Sequence, residues 1–142
     1  MTRSDIIHRW INASNADCLD NVAPGVFDHA IDPQRLAKYL SSAGNSMIVA
    51  LHEAQVVGMC MAVVHDHPDK PAELFLDEIG TGDEWRRKGI ARSLIEALCK
   101  RADDEGIEEI WLATEPDNGA AHGLYEAFKH EREDAVIHYL DW

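Results

Sequence analysis

The chain has 142 residues, enough for one compact domain with a full core, and 46% of them are apolar, so disorder is not indicated. Its 26 Asp and Glu against 13 Lys and Arg give a formal net charge of −13. That balance makes nucleic acid and anionic membranes poor partners, since both select a basic footprint, and it favours a cationic small molecule.

At the N-terminus His8 and Arg9 break a short apolar run, so no signal-peptide core is read there. No stretch approaches the roughly 20 apolar residues of a membrane helix, and a cytoplasmic location is expected. Ile6, Ile7, Trp10 and Ile11 place a first strand within residues 5–12. A short helix capped by Ser14 or Asn15 is expected over 14–21. Asp32-Pro33 is a helix start, with Leu36, Tyr39 and Leu40 on one face and Gly44 as the stop. Met47 to Leu51 and Val56 to Val64 read as a hairpin about Glu53-Ala54-Gln55, with Gly58 marking a bulge or a close approach.

His65 to Pro71 is a polar loop. Its His65-Asp66-His67 offers two metal-ligand side chains, but no third ligand is evident and no metal is expected. Glu73 to Thr81 makes the next strand. From Gly89, Ile90, Leu94, Leu98 and Ala102 recur every four residues, the stripe of an amphipathic helix ending at Gly106. Ile110 to Ala113 reads as a short buried strand, Asn118 caps a helix running through Ala121, Leu124, Tyr125 and Phe128, and Val136 to Leu140 reads as a final strand. No linker or repeat divides the chain, so residues 1–142 form one domain. Cys18, Cys60 and Cys99 make no CxxC pair and are read as reduced, mostly buried thiols. The order of elements predicts an α/β (α+β) sheet with helices on its faces, and residues 73–114 a right-handed parallel crossover.

The densest basic patch, Arg86, Arg87, Lys88 and Arg92, lies where the central strand turns into the amphipathic helix. Gly89 lets the backbone pass close to a ligand, and the first helical amides have no internal partners. Free N–H groups, the helix dipole and nearby cations together make an anion site. Neither GxxxxGK[ST] nor GxGxxG is present, so this is neither a Walker loop nor a dinucleotide fingerprint.

Arg86-Arg87-Lys88-Gly89-Ile90-Ala91 resembles the R/Q-x-x-G-x-G/A signature of the GCN5-related N-acetyltransferase (GNAT) family. Within it, Glu73-Leu74-Phe75-Leu76-Asp77-Glu78-Ile79 followed by Glu84-Trp85-Arg86-Arg87 is most similar to the aminoglycoside 3-N-acetyltransferases. The resemblance implies a central mixed, mostly antiparallel sheet of six to seven strands with helices on both faces. It implies acetyl-CoA as donor and coenzyme A as product. Backbone groups of Ile79, Gly80 and Thr81 would line the pantetheine arm as an added strand does, and the segment Arg86, Arg87, Lys88, Gly89, Ile90, Ala91 and Arg92 would hold the pyrophosphate. Asn118, Ala121 and Tyr125 would flank the arm. A homodimer is also implied.

An alkyl amine of pKa ~10.4 is neutral in fewer than about one molecule per 10³ at pH 7, so acetyl transfer needs a proton acceptor. Asp77 and Glu78 end the central strand, and strict alternation would point them to opposite faces. The resemblance implies Glu78 as the base, since it occupies the acidic position of the aminoglycoside enzymes' strand. Asp77 stands where an aromatic is expected in the 3-N relatives. The resemblance assigns Tyr125 the role of general acid for the departing thiolate. Ser93 lacks a GxSxG elbow and Cys99 sits in mid-helix, so direct attack without a covalent intermediate is expected. Asp28, Asp32, Glu115, Glu126 and Asp141, with Asp77 and Glu78, are the candidate contacts to a cationic acceptor, and His122 and His138 are lesser ones. Three readings stay open: an aminoglycoside N-acetyltransferase, an N-acetyltransferase for another amine such as a polyamine, amino acid or protein terminus, and a non-catalytic acyl-CoA-binding module.

Overall fold

The structure, a computed structural model describing residues 5–142, is organised around one five-stranded sheet whose strands lie side by side in chain order. These are β1 (Ile7–Trp10), β2 (Asn45–His52), β3 (Gln55–His65), β4 (Glu73–Thr81) and β5 (Ile110–Trp111). The first four pair antiparallel, and β4 pairs β5 in parallel. Three helices accompany them: α1 (Pro33–Ser41), α2 (Ile90–Asp104) and α3 (Gly119–Tyr125).

The apolar runs of β2 and β3 form the centre of the core, where Val49, Ala50, Val56 and Val57 are fully buried. Their hairpin turns on Glu53 and Ala54, both at positive φ (55° and 107°), without the Asn-Gly usual for such a turn. Helix α2 lays its stripe of Ile90, Leu94, Leu98 and Ala102 on this sheet, all four buried. Gly58 permits the approach, because a Cβ there would meet Ile90 Cγ2 and Leu94 Cδ1. The bulge expected near Gly58 is present beside it, at Val57, where the register steps from Ala50↔Gly58 to Leu51↔Val56. The Arg101 guanidinium sits 4.2 Å above the Trp10 ring and ties α2 to β1.

A second bulge matters more for function. The β3–β4 register steps from Ala62↔Leu76 to Met61↔Glu78, leaving Asp77 as an extra residue on β4. Strict alternation therefore fails at Asp77 and Glu78.

Several expected elements are corrected. Among the described residues the sheet has five strands, not six to seven. The segment 14–21 is a short 3-10 turn, Ala16–Asp20, because Asn12 Oδ1 accepts from the amides of Ser14 (2.9 Å) and Asn15 (3.1 Å) and diverts the backbone from a regular helix. Residues 136–140 form no strand. They are exposed, Tyr139 by 89%, and β5 is too short a template to pair them. Cys99 is exposed rather than buried. The face of β4 opposite α2 is covered at Gly80 by the backbone of Val26 instead of by a helix.

That last contact carries a prediction. A Cβ at position 80 would overlap the Val26 carbonyl, a backbone group with no rotamer to yield. Gly80→Ala is expected to destabilise the chain by ~1–3 kcal/mol in a denaturant melt, the usual cost of overpacking. An unchanged midpoint would show that the loop yields freely.

Candidate active site

Strand β5 pairs β4 only at Leu74↔Ile110 and Phe75↔Trp111. From Leu76 to Thr81 the edge of β4 facing β5 is therefore open. Which backbone groups face this opening follows from parity. The Leu74 amide donates across the edge to the Glu109 carbonyl at 2.9 Å. Counting by twos would direct residues 76, 78 and 80 there, but the extra residue at Asp77 shifts the count, so Ile79 and Thr81 face the gap. The Gly82 amide bonds back to the Val57 carbonyl at 2.9 Å, as this parity requires.

The open edge runs into the basic turn. A 3-10 turn, Asp83–Trp85, is followed by Arg86 in an extended conformation, Arg87 at φ 62° and Gly89 at φ 78°, after which α2 begins. A left-handed non-glycine residue such as Arg87 is strained by ~1–3 kcal/mol, and such strain clusters at ligand-binding loops. Gly89 caps α2 without any side-chain bond, and among the described residues no acceptor takes the amides of Ile90, Ala91 or Arg92. Space around Gly89 is open. Arg86 pairs with Asp83 at 3.3 Å and Arg92 with Glu96 at 3.2 Å, both at the surface. Beside the loop lies a cleft of about 300 Å³, lined in part by His8, Lys88, Gly89, Ser93 and Lys100. The Ser93 hydroxyl donates to the Ile90 carbonyl (2.7 Å), so its oxygen accepts from His8 Nε2 at 3.0 Å.

At the bulge, Asp77 and Glu78 act together. Both raise the pKa of the Tyr39 phenol, which burial, then Asp77, Cys60 and Glu78, push up to about 12. The Glu78 carboxyl is itself raised, first by partial burial, then by the Asp28 and Asp77 carboxylates and by a hydrogen bond shared with Asp28. The register step at Asp77 breaks the strict alternation on which the opposite-face reading of the two carboxylates rests. Asp28 also lines a cleft of about 560 Å³ walled by residues 19–31.

On α3, Asn118 Oδ1 accepts from the Ala121 amide at 3.1 Å, the expected cap. Tyr125 is half-buried against the core, and its phenol is raised by burial and then by Cys60. It stays protonated across the neutral range. Burial pushes the Cys60 thiol up to about 12, which makes it inert as a nucleophile.

The acetyltransferase (GNAT) family model matches residues 9–129, which takes in the open β4 edge, the basic turn, α2 and α3. The chain belongs to this family.

Human N-acetyltransferase 8 is 36% identical to this acetyltransferase-family chain over 92 residues, 63% of the chain and 40% of the human protein. The chain thus spans about two fifths of that relative. Aminoglycoside N(6')-acetyltransferase type 1 of Salmonella typhimurium strain LT2 is 26% identical over 95 residues, covering 64% of the chain and 66% of that protein. Among solved structures, an aminoglycoside acetyltransferase from an uncultured soil metagenomic sample, in complex with sisomicin, superposes with a TM-score of 0.79 at 18% identity, covering 98% of this chain and 97% of that one. Aminoglycoside N-acetyltransferase AAC(6')-Iy in complex with CoA gives a TM-score of 0.75 at 21% identity, covering 96% of this chain and 94% of that one. At such identities these two likenesses establish the fold. Those aminoglycoside relatives whose names state a position are of the 6' type, so the narrower 3-N likeness gives way to the broader aminoglycoside one.

Within the GNAT chain, the other expected acceptor contacts do not gather. Glu115 lies in the loop before α3, Asp141 in the exposed C-terminal segment, and neither lines either cleft. Asp32 caps α1, accepting from the Arg35 amide at 2.9 Å. Glu126 follows α3 and is exposed. His122 Nε2 lies 3.2 Å and 3.0 Å from the carbonyls of Glu115 and Pro116, which explains it as a loop tie. Tyr39, His8 and Lys100 are not marked as site residues by the sequence. Lys100 was findable, since it shares a helical stripe with Ser93 and Ala97. His8 had no local signal. No described helix is long and apolar enough to cross a membrane.

Proposed function

We propose that this chain transfers the acetyl group of acetyl-CoA to an amino group of a cationic amine, in the first instance an aminoglycoside. The observation that carries the reading is the bulge at Asp77. It turns the backbone of Ile79 and Thr81 to the open edge beside Glu78, whose carboxyl is raised in part by Asp28 and Asp77. A donor threaded along that edge meets the free amides of Ile90, Ala91 and Arg92 at one end and the carboxylates at the other.

Acetyl-CoA, once bound, supplies an activated thioester. The chain's residues do the rest. Ile79 and Thr81 hold the arm by backbone hydrogen bonds, and the Arg87–Arg92 turn holds the pyrophosphate. Glu78 takes the proton the attacking amine must lose, and the upward shift of its carboxyl makes it a stronger base than an ordinary glutamate. The Ile79 amide stabilises the developing oxyanion. As the carbon–nitrogen bond forms and the carbon–sulfur bond breaks, Tyr125 gives its proton to the leaving thiolate, and solvent restores it. Asp28 and Asp77 attract the acceptor's ammonium groups.

Likeness to aminoglycoside enzymes of the 6' type favours that position over 3-N. A second reading, another amine as acceptor, is favoured by the higher identity to human N-acetyltransferase 8. A cytoplasmic location and a homodimer belong to the same proposal.

The test follows free thiol on mixing the protein and acetyl-CoA with aminoglycosides, polyamines and peptides. Release with aminoglycosides supports the first reading, and mass spectrometry of the product fixes 6' or 3-N. Release with other amines alone supports the second. CoA binding without release for any amine overturns catalysis. Tyr125→Phe should slow turnover by ~10–100-fold while leaving the Kd for CoA unchanged. Unchanged turnover would remove the tyrosine from the mechanism.

A further inference from the structure

We infer that His65, His67 and Glu73 form a binding site for a borderline transition-metal ion, with Zn²⁺ the best match. The hairpin register supplies what local spacing lacks. His65 closes β3, Glu73 opens β4, and the two are paired directly across the strands. His67 returns to the same point from the connecting loop.

The donor atoms converge. His65 Nδ1 and His67 Nε2 lie 3.5 Å and 3.6 Å from Glu73 Oε1. All three donor atoms fall within 4.8 Å of one another, and the imidazole centroids are 4.2 Å apart. Two ligands on a tetrahedral Zn²⁺ at ordinary bond lengths lie about 3.3 Å apart, so a small closure of the imidazoles around the ion completes the geometry.

A second observation points the same way. His67 Nε2 is buried and has no hydrogen-bond partner. Its approach to the carboxylate is longer than a hydrogen bond. A buried unpaired nitrogen is unfavourable, and a metal ion satisfies it. Two imidazoles and one carboxylate match Zn²⁺ and its borderline neighbours, whereas Ca²⁺ and Mg²⁺ select oxygen. The half-exposed His65 leaves a fourth position for water. Glu73 is eight residues, about 26 Å of strand, from Thr81, so the site pins the 66–72 loop to the hairpin rather than joining acyl transfer. The inference stands whether or not the chain acetylates amines.

Untagged protein stripped with EDTA and titrated with Zn²⁺ by calorimetry tests it. A single equivalent is expected to bind, and the melting temperature should rise with added Zn²⁺. His67→Ala and the isosteric Glu73→Gln should each weaken binding by at least the ~10–100-fold that losing a ligand's supporting partner costs in known sites. Their melting temperatures in EDTA show whether they fold. If a variant does not, the wild type alone decides: Zn²⁺ should shift the imidazole ¹⁵N resonances of His65 and His67 and leave the other histidines unmoved. Zn²⁺ uptake equal in wild type and variants, or no movement of those two resonances, overturns the site and leaves a plain His67–Glu73 contact.

Discussion

Glu78→Gln is expected to lower kcat/KM by ~10²–10³-fold, leave CoA affinity unchanged and raise the melting temperature. The loss follows from removing the proton acceptor while keeping the side chain's shape. The gain in stability follows from the direction of the pKa shift. Partial burial and the neighbouring Asp28 and Asp77 carboxylates hold Glu78 above its ordinary 4.5. A carboxyl raised in the folded state contributes stability below its unfolded pKa and loses it as pH rises through the folded pKa. At neutral pH the ionised Glu78 is therefore a destabilising charge, and the neutral amide relieves it. The wild-type kcat/KM should fall as pH drops through this raised value, and the variant should lose that limb. Asp28→Asn and Asp77→Asn should move the limb to lower pH by removing a like charge. Activity in Glu78→Gln within about 3-fold of wild type, with the acid limb intact, would transfer the base role elsewhere, with Asp77 the first candidate.

Gly89→Asp is expected to weaken CoA binding by ~100-fold or more, about 2.8 kcal/mol. Two effects combine there. Position 89 has φ 78°, which a side chain tolerates poorly, and the new carboxylate would face bound phosphates at the N-terminus of α2. Steric clash with the chain itself is not the reason, since the space around Gly89 is open. Gly89→Asn separates the terms. Asn is the side chain best suited to a left-handed position and has the same shape as Asp, so it should cost no more than about 10-fold. The Asp–Asn difference then reports charge alone. Equal affinities for the two variants, measured by calorimetry at fixed salt, would remove the pyrophosphate from this turn.

Much of this site was legible residue by residue. Helix α2 follows from a stripe that recurs every four residues. β4 has the bounds Glu73–Thr81 that its sequence predicts, and Asp32 and Asn118 cap the helices they introduce. The basic turn before α2 could be read because an anion site at a helix start needs only neighbours in sequence. These features rest on local periodicity and local hydrogen bonds, which the order of residues determines by itself.

Other features depend on what lies opposite. No pattern in Leu76-Asp77-Glu78 announces a bulge, because a bulge is a property of two strands in register. It decides which amides face the gap and breaks the alternation of Asp77 and Glu78. Nothing in the sequence around Gly80 announces the Val26 backbone that lies against it. Glu73 is six residues from His67 in sequence and beside it in space, because the hairpin closes there. Val136 to Leu140 has the composition of a strand but no partner, and backbone hydrogen bonds need one. Sequence alone determined the family signature, the helix stripe and the basic turn before α2. Only tertiary structure decided the strand count, the bulge at Asp77 and the third candidate metal ligand, since each depends on contacts between segments that the chain's local preferences do not encode.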